Sequence, residues 1–205
     1  MSLFAFLLAA TLLAISPGPG IAYVVARTVT GGRSEGLASS LGTALGGMVH
    51  VTASALGLSL IIAQSAVAFG AVKYLGAAYL VYLGIGLLRR SGQNIAVQRV
   101  TRQGARRAFL DGILVEAFNV KTALFFLAFL PQFVDTSTSL TWQLAMLGTI
   151  CVVLNTSVDV IAVFAADRLL QTSSVRAARA NLINKLSGCT MLGLAVYLAL
   201  AKRAA

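Results

Sequence analysis

Long apolar runs divide the chain, and the gaps between them carry most of its Lys and Arg. The runs cover about residues 3–26, 38–63, 67–88, 109–133, 141–166 and 186–201. Most approach or exceed the ~20 residues that cross a bilayer as an α-helix. They are apolar all round, as lipid-embedded helices are, so length and charge gaps define them better than periodicity does. Strands of a membrane barrel would instead be short and would alternate apolar with polar positions. The pattern predicts an all-α, polytopic membrane protein with six transmembrane helices in one domain over 1–205.

The first run is interrupted at its middle by Ser16-Pro17-Gly18-Pro19-Gly20. Each proline removes a backbone donor and clashes with the preceding turn, so a helix must kink or break there. In hydrocarbon the freed carbonyls need another partner. Two readings follow. The stretch is a simple kink in a packed helix, or it is a break that lines a polar site, as in transporters built from repeats.

Composition sharpens the class. The chain is 58% hydrophobic and 11% charged, with a net charge of +10. That charge lies between the runs, in no basic soluble module of the kind that binds nucleic acid. The gaps 27–37, 89–108 and 167–185 hold Arg27, Arg33, Arg89, Arg90, Arg99, Arg102, Arg106, Arg107, Arg168, Arg176, Arg179 and Lys185. The opposite side holds Lys73, Lys202 and Arg203. The positive-inside rule makes the first side cytoplasmic, and both termini then face outward. Met1-Ser2-Leu3-Phe4 has no basic leader region, so it reads as the start of a retained span. The gap 89–108 carries six arginines and no acid, which suits topology and anionic lipid headgroups. Three runs precede it and three follow. An odd-numbered unit duplicated in tandem inserts its second copy upside down, which predicts two inverted repeats, 1–88 and 109–205.

Candidate chemistry lies inside the runs. Gly42 and Gly46 have the spacing that lets helix backbones approach closely. His50 either bonds a neighbouring helix or relays a proton. At ~1.5 Å per residue, Glu116 lies ~10 Å and Lys121 ~18 Å from the cytoplasmic edge of the fourth run. In the fifth, Asp159 is ~10 Å deep and Asn155 ~16 Å, four residues apart on one face. Pro17 falls ~14 Å deep. The cluster is either a static Lys121–carboxylate pair or a site for substrate and protons. Cys151 and Cys189 sit at different depths and read as free thiols. The sequence offers no metal cluster, phosphate loop or nucleophile triad, and no cofactor is expected.

Several of these stretches together resemble the LysE/RhtB family of bacterial amino-acid exporters. Ser16-Pro17-Gly18-Pro19 resembles its first-helix motif. Gly32-Arg33-Ser34-Glu35-Gly36, continuing through Gly42, Gly46 and His50, resembles the start of its second helix. Lys73-Tyr74-Leu75-Gly76-Ala77-Ala78-Tyr79-Leu80 resembles the third. Asn119-Val120-Lys121-Thr122-Ala123-Leu124-Phe125-Phe126, ending at Phe129-Leu130-Pro131-Gln132-Phe133, resembles the fourth. Val120 stands where the family usually has proline, and Glu116 where a neutral polar residue is expected. The resemblance implies a multi-pass protein of the bacterial cytoplasmic membrane that exports an amino acid or close derivative by proton antiport. Ser16, Pro17, Gly18, Pro19, Asn119, Lys121 and Asn155 are then the candidate substrate-binding residues. Asp159, Glu116 and His50 are the candidates for proton coupling. The expected partners are the small-molecule substrate and membrane lipid; oligomeric state stays open, a homo-oligomer included. A cation exporter or channel, and a membrane thiol relay or interaction subunit, are the alternatives.

Overall fold

A computed structural model describes residues 3–58, 66–90, 102–169, 185, 188–196 and 198–200. Every regular element among them is helical. Helix α1 (Leu3–Ile15) ends at the proline stretch, and α2 (Pro19–Ala53) resumes three residues later and runs into a π-helical turn, Ser54–Leu58. Helix α3 covers Ala66–Arg90. Helix α4 (Ala105–Ala117) stops at Phe118-Asn119. The short α5 (Val120–Leu124) follows, then a π turn (Phe125–Phe129) and a 3-10 turn (Leu130–Phe133). Helix α6 covers Leu140–Leu169, and the apolar helix α7 covers Gly188–Leu200.

Two of the predicted runs are bent in their middles. The axis turns by 46° between α1 and α2, and by 41° between α4 and the segment Val120–Phe133. The first bend is the one the prolines dictate. The second occurs without a proline at position 120. Asn119 is extended there, and its side chain accepts the main-chain N–H of Lys121 at 3.1 Å, capping the new helix. By length and hydropathy, among the described residues, Leu140–Ala166 alone can cross a membrane as one straight helix; the count is three if each bent pair is one span.

The expected cytoplasmic loop at 27–37 needs correction. Helix continues on both sides, and the chain turns at one residue, Gly32, with φ 76° and ψ −172°. Only glycine enters that region without strain. Gly36 thereby packs against Thr28, eight residues back, which would lie ~12 Å away along a straight helix. The gap 89–108 is also shorter than expected, because α3 runs to Arg90 and α4 begins at Ala105. The expectations for 59–65, 91–101, 170–184, 186–187, 197 and 201–205 lie outside the described residues.

Helices α2 and α4 touch backbone to backbone. A β-carbon on Gly46 would sit 2.5 Å from the Ile113 carbonyl oxygen, so no larger residue fits. This is the use predicted for the Gly42/Gly46 spacing. Elsewhere the core is aromatic and aliphatic. Phe125 stacks on Phe129 with centroids 5.1 Å apart, and Phe6 meets Phe133 edge-on at 5.5 Å. Phe4, Val67, Leu75 and Leu200 face outward, where lipid satisfies apolar surface.

Candidate functional site

Each break costs a carbonyl its usual helical partner; a local N–H turns to it, Ser16 to Leu13 at 3.2 Å and Asn119 to Glu116 at 3.0 Å, and a side chain from the other half of the chain adds a second bond. In a continuous helix the Leu13 carbonyl would accept from residue 17, but Pro17 has no N–H. The Lys121 ammonium donates to that oxygen at 2.9 Å and to the Ser16 carbonyl at 2.6 Å. At the second break the Glu116 carbonyl would have accepted from residue 120. It lies instead 2.8 Å from His50 Nε2. A carbonyl oxygen only accepts, so His50 is the donor and its Nε2 carries the proton. The static Lys121–carboxylate pair is therefore not what the structure contains: among the described residues Lys121 bonds main-chain oxygens and no carboxylate.

Between the breaks lies a cavity of about 30 Å³. The first break contributes Ser16, Gly18 and Gly20; the second contributes Glu116, Asn119 and Lys121. Thr43 and Gly47 of α2 and Asn155 and Asp159 of α6 close it. Glu116 is held at both oxygens: Thr122 Oγ1 donates to Oε1 at 2.6 Å and Asn119 Nδ2 to Oε2 at 2.9 Å. The Thr43 hydroxyl lies 2.9 Å from both Asp159 Oδ2 and the Ser40 carbonyl and shares its one proton between them. Ser16 is buried, and its hydroxyl has no hydrogen-bond partner. Of the positions counted by depth, Glu116, Lys121, Asn155 and Asp159 line this cavity, and so do Ser16, Gly18 and Asn119, candidates from the resemblance. Pro17 and Pro19 face a second space instead, a chamber of about 570 Å³. His50 lines neither; it braces the second break from behind.

The second space shares Ser16, Gly18, Asn119 and Lys121 with the first. Tyr79, Tyr82, Phe118 and Met191 supply its other, largely apolar walls. Lys121 therefore stands between a small polar cavity and a large apolar chamber.

A cluster that the sequence did not reveal sits at the Gly32 corner. Arg27 and Glu35 are both buried, 4% and 2% exposed, with Nη1 and Oε2 3.6 Å apart. Glu35 Oε1 accepts the main-chain N–H groups of Gln103 and Gly104, at 3.2 and 2.8 Å, where α4 begins. A carboxylate is favoured at that end of a helix. Arg27 reaches Asp111 at 3.7 Å, donates to the Gln103 side chain, and donates to Tyr23, which in turn donates to the Ala108 carbonyl. The signal missed was the pairing of Arg27, counted only as a cytoplasmic charge, with an acid eight residues on. Cys151 is buried and Cys189 exposed, and both are free.

Apolar helices broken around a polar cavity are the arrangement at the substrate sites of many membrane transporters. The chain belongs to the LysE type translocator family, whose model matches residues 11–202. It is 29% identical over 201 residues to an uncharacterised membrane protein of Vibrio cholerae, covering 97% of this chain and 96% of that one. It is 32% identical over 152 residues to a homoserine/homoserine lactone efflux protein of Salmonella typhi, covering 74% of each. An uncharacterised membrane protein of Bacillus subtilis is 31% identical over 164 residues, 75% of this chain and 77% of that one. No solved structure matches the chain.

Proposed function

We propose that the protein exports an amino acid or close derivative from the bacterial cytoplasm, across the inner membrane, in exchange for protons. The observation that carries this reading is the meeting of two broken helices in one cavity with Glu116, Lys121 and Asp159 on its walls. Charged groups at such depth are costly unless they serve a pathway. The efflux activity named for the Salmonella relative supports the direction and the substrate class. The reciprocal bracing of the breaks, Lys121 on Leu13 and His50 on Glu116, supports two related halves; the split of positive charge between the gaps supports six spans with both ends outside. Asp159, with one bond from Thr43, is the group we assign to the coupling proton. The driving force is adequate, since one charge crossing 100 mV yields about 2.3 kcal/mol.

The test uses inverted membrane vesicles with an imposed pH gradient and a panel of labelled amino acids and derivatives. Uptake should require the gradient and should collapse with a protonophore. Asp159→Asn should insert normally yet lose the gradient dependence. Uptake that ignores the gradient in the unmodified protein would remove proton antiport and favour a channel.

A further inference from the structure

We infer that the site selects a monocationic amine whose carboxyl group is masked, as an ester, lactone or amide, over the free zwitterionic amino acid. This rests on the export reading and adds the substrate class.

Charge is the first ground. Glu116, Asp159 and Lys121 give the small cavity a formal charge of −1. A monocation neutralises it. A zwitterion leaves it unchanged and brings a third carboxylate beside two others, in a space where water screens poorly.

The second ground is that the chain already occupies the place a substrate carboxylate would take. The free amides and positive dipole end at the start of α2 form such a seat. Glu116 lies against this helix start: a β-carbon on Gly20 would stand 2.5 Å from Glu116 Oε2. Asn119 and Thr122 hold that carboxylate at both oxygens. Lys121, the other attraction for an anion, spends two of its three N–H donors on the carbonyls of Leu13 and Ser16. Of what remains in the cavity, Asp159 only accepts, while Asn155 and Ser16 can accept or donate. Thr43 engages one oxygen of Asp159, leaving the other open to an ammonium. The buried Ser16 hydroxyl, without a partner, is a further acceptor.

The third ground is size. A cavity of about 30 Å³ takes a group of ammonium size and little more. The uncharged remainder must lie in the adjoining chamber of about 570 Å³, against Tyr79, Tyr82 and Phe118. An apolar body with a masked carboxyl suits those walls; a carboxylate does not.

The experiment compares L-leucinamide with L-leucine, and homoserine lactone with homoserine, for binding to the purified full-length protein by calorimetry and by thermal shift. The masked member of each pair should bind about tenfold more tightly or better. Glu116→Gln removes the seated carboxylate and makes the cavity formally neutral, so the preference should shrink by about tenfold as the free acids gain. If that variant fails to fold, the two ratios in the unmodified protein decide. Free acids binding as tightly as their masked partners, while gradient-driven export of an amino acid proceeds, would overturn the inference and leave the export reading standing. No binding of any of the four, with no exported solute in the vesicle panel, would overturn both.

Discussion

The ammonium of Lys121 donates to the main-chain oxygen of Ser16 at 2.6 Å, across 105 residues of sequence. A lysine in a transporter cavity invites the reading that it waits for a substrate anion. Here it completes the end of a broken helix. Its partner oxygens on Leu13 and Ser16 close the last turn before Pro17, so the lysine and the proline break stabilise each other.

Lys121→Met should therefore lose stability as well as export. Two buried carbonyls lose a charged donor, and each such loss costs about 1–3 kcal/mol. Thermal unfolding in detergent measures the first effect and vesicle uptake the second. A variant that unfolds at the normal temperature yet fails to transport would return Lys121 to a pure substrate role.

His50 offers the reciprocal case. Its Nε2–H serves the Glu116 carbonyl, and a glutamine amide can supply a donor at a similar reach. His50→Gln should keep most export and leave its pH profile in place. His50→Leu should be destabilised by about 1 kcal/mol, since the Glu116 carbonyl loses one of its two donors and keeps the Asn119 N–H. A pH profile that shifts in His50→Gln would instead make the imidazole part of the proton path.

The Arg27–Glu35 pair is a test of the corner at Gly32. Removing one partner takes a buried counter-charge from the other, but Arg27 keeps Asp111 and Glu35 keeps the Gln103 and Gly104 amides, so the cost should fall below the ~3–5 kcal/mol of a fully unpaired buried charge. Arg27→Met and Glu35→Gln should each lower the unfolding temperature sharply. The double variant should cost clearly less than the sum, because it removes both charges at once. Simple additivity would mean that the two side chains do not act on each other.

These residues also show where sequence reading reaches its limit. The break at residues 16–18 was legible because proline dictates it from local sterics. The shared depth of Glu116 and Asp159, and the shared face of Asp159 and Asn155, were legible because helix rise and pitch are fixed. The role of Lys121 was not, because it depends on which carbonyls the far half of the chain leaves bare. The Arg27–Glu35 pair was hidden for a similar reason. Two charges beside two glycines read as a solvated loop, and only the positive φ of Gly32 brings them together.

The last prediction concerns the break that lacks its proline. Val120 is the first residue of α5, and the residue before it, Asn119, has φ −73° and ψ 100°. That extended conformation is the one a residue preceding proline prefers. At the first helical position a proline forfeits no helical hydrogen bond. The carbonyl that residue 120 would have served, that of Glu116, is already taken by His50. Val120→Pro should accordingly be tolerated, and by restricting the unfolded chain it should add about 0.4–1 kcal/mol of stability. Export should continue. The contrasting change is Pro17→Ala with Pro19→Ala. A new N–H at position 17 can reach the Leu13 carbonyl, displace Lys121 and straighten the first helix. That variant should be at least as stable as the parent and inactive in export. If Val120→Pro instead costs about 3 kcal/mol or more, as proline does inside a continuous helix, the second break closes in the membrane. If the double alanine variant exports at the normal rate, the first break is a kink and the transport site lies elsewhere.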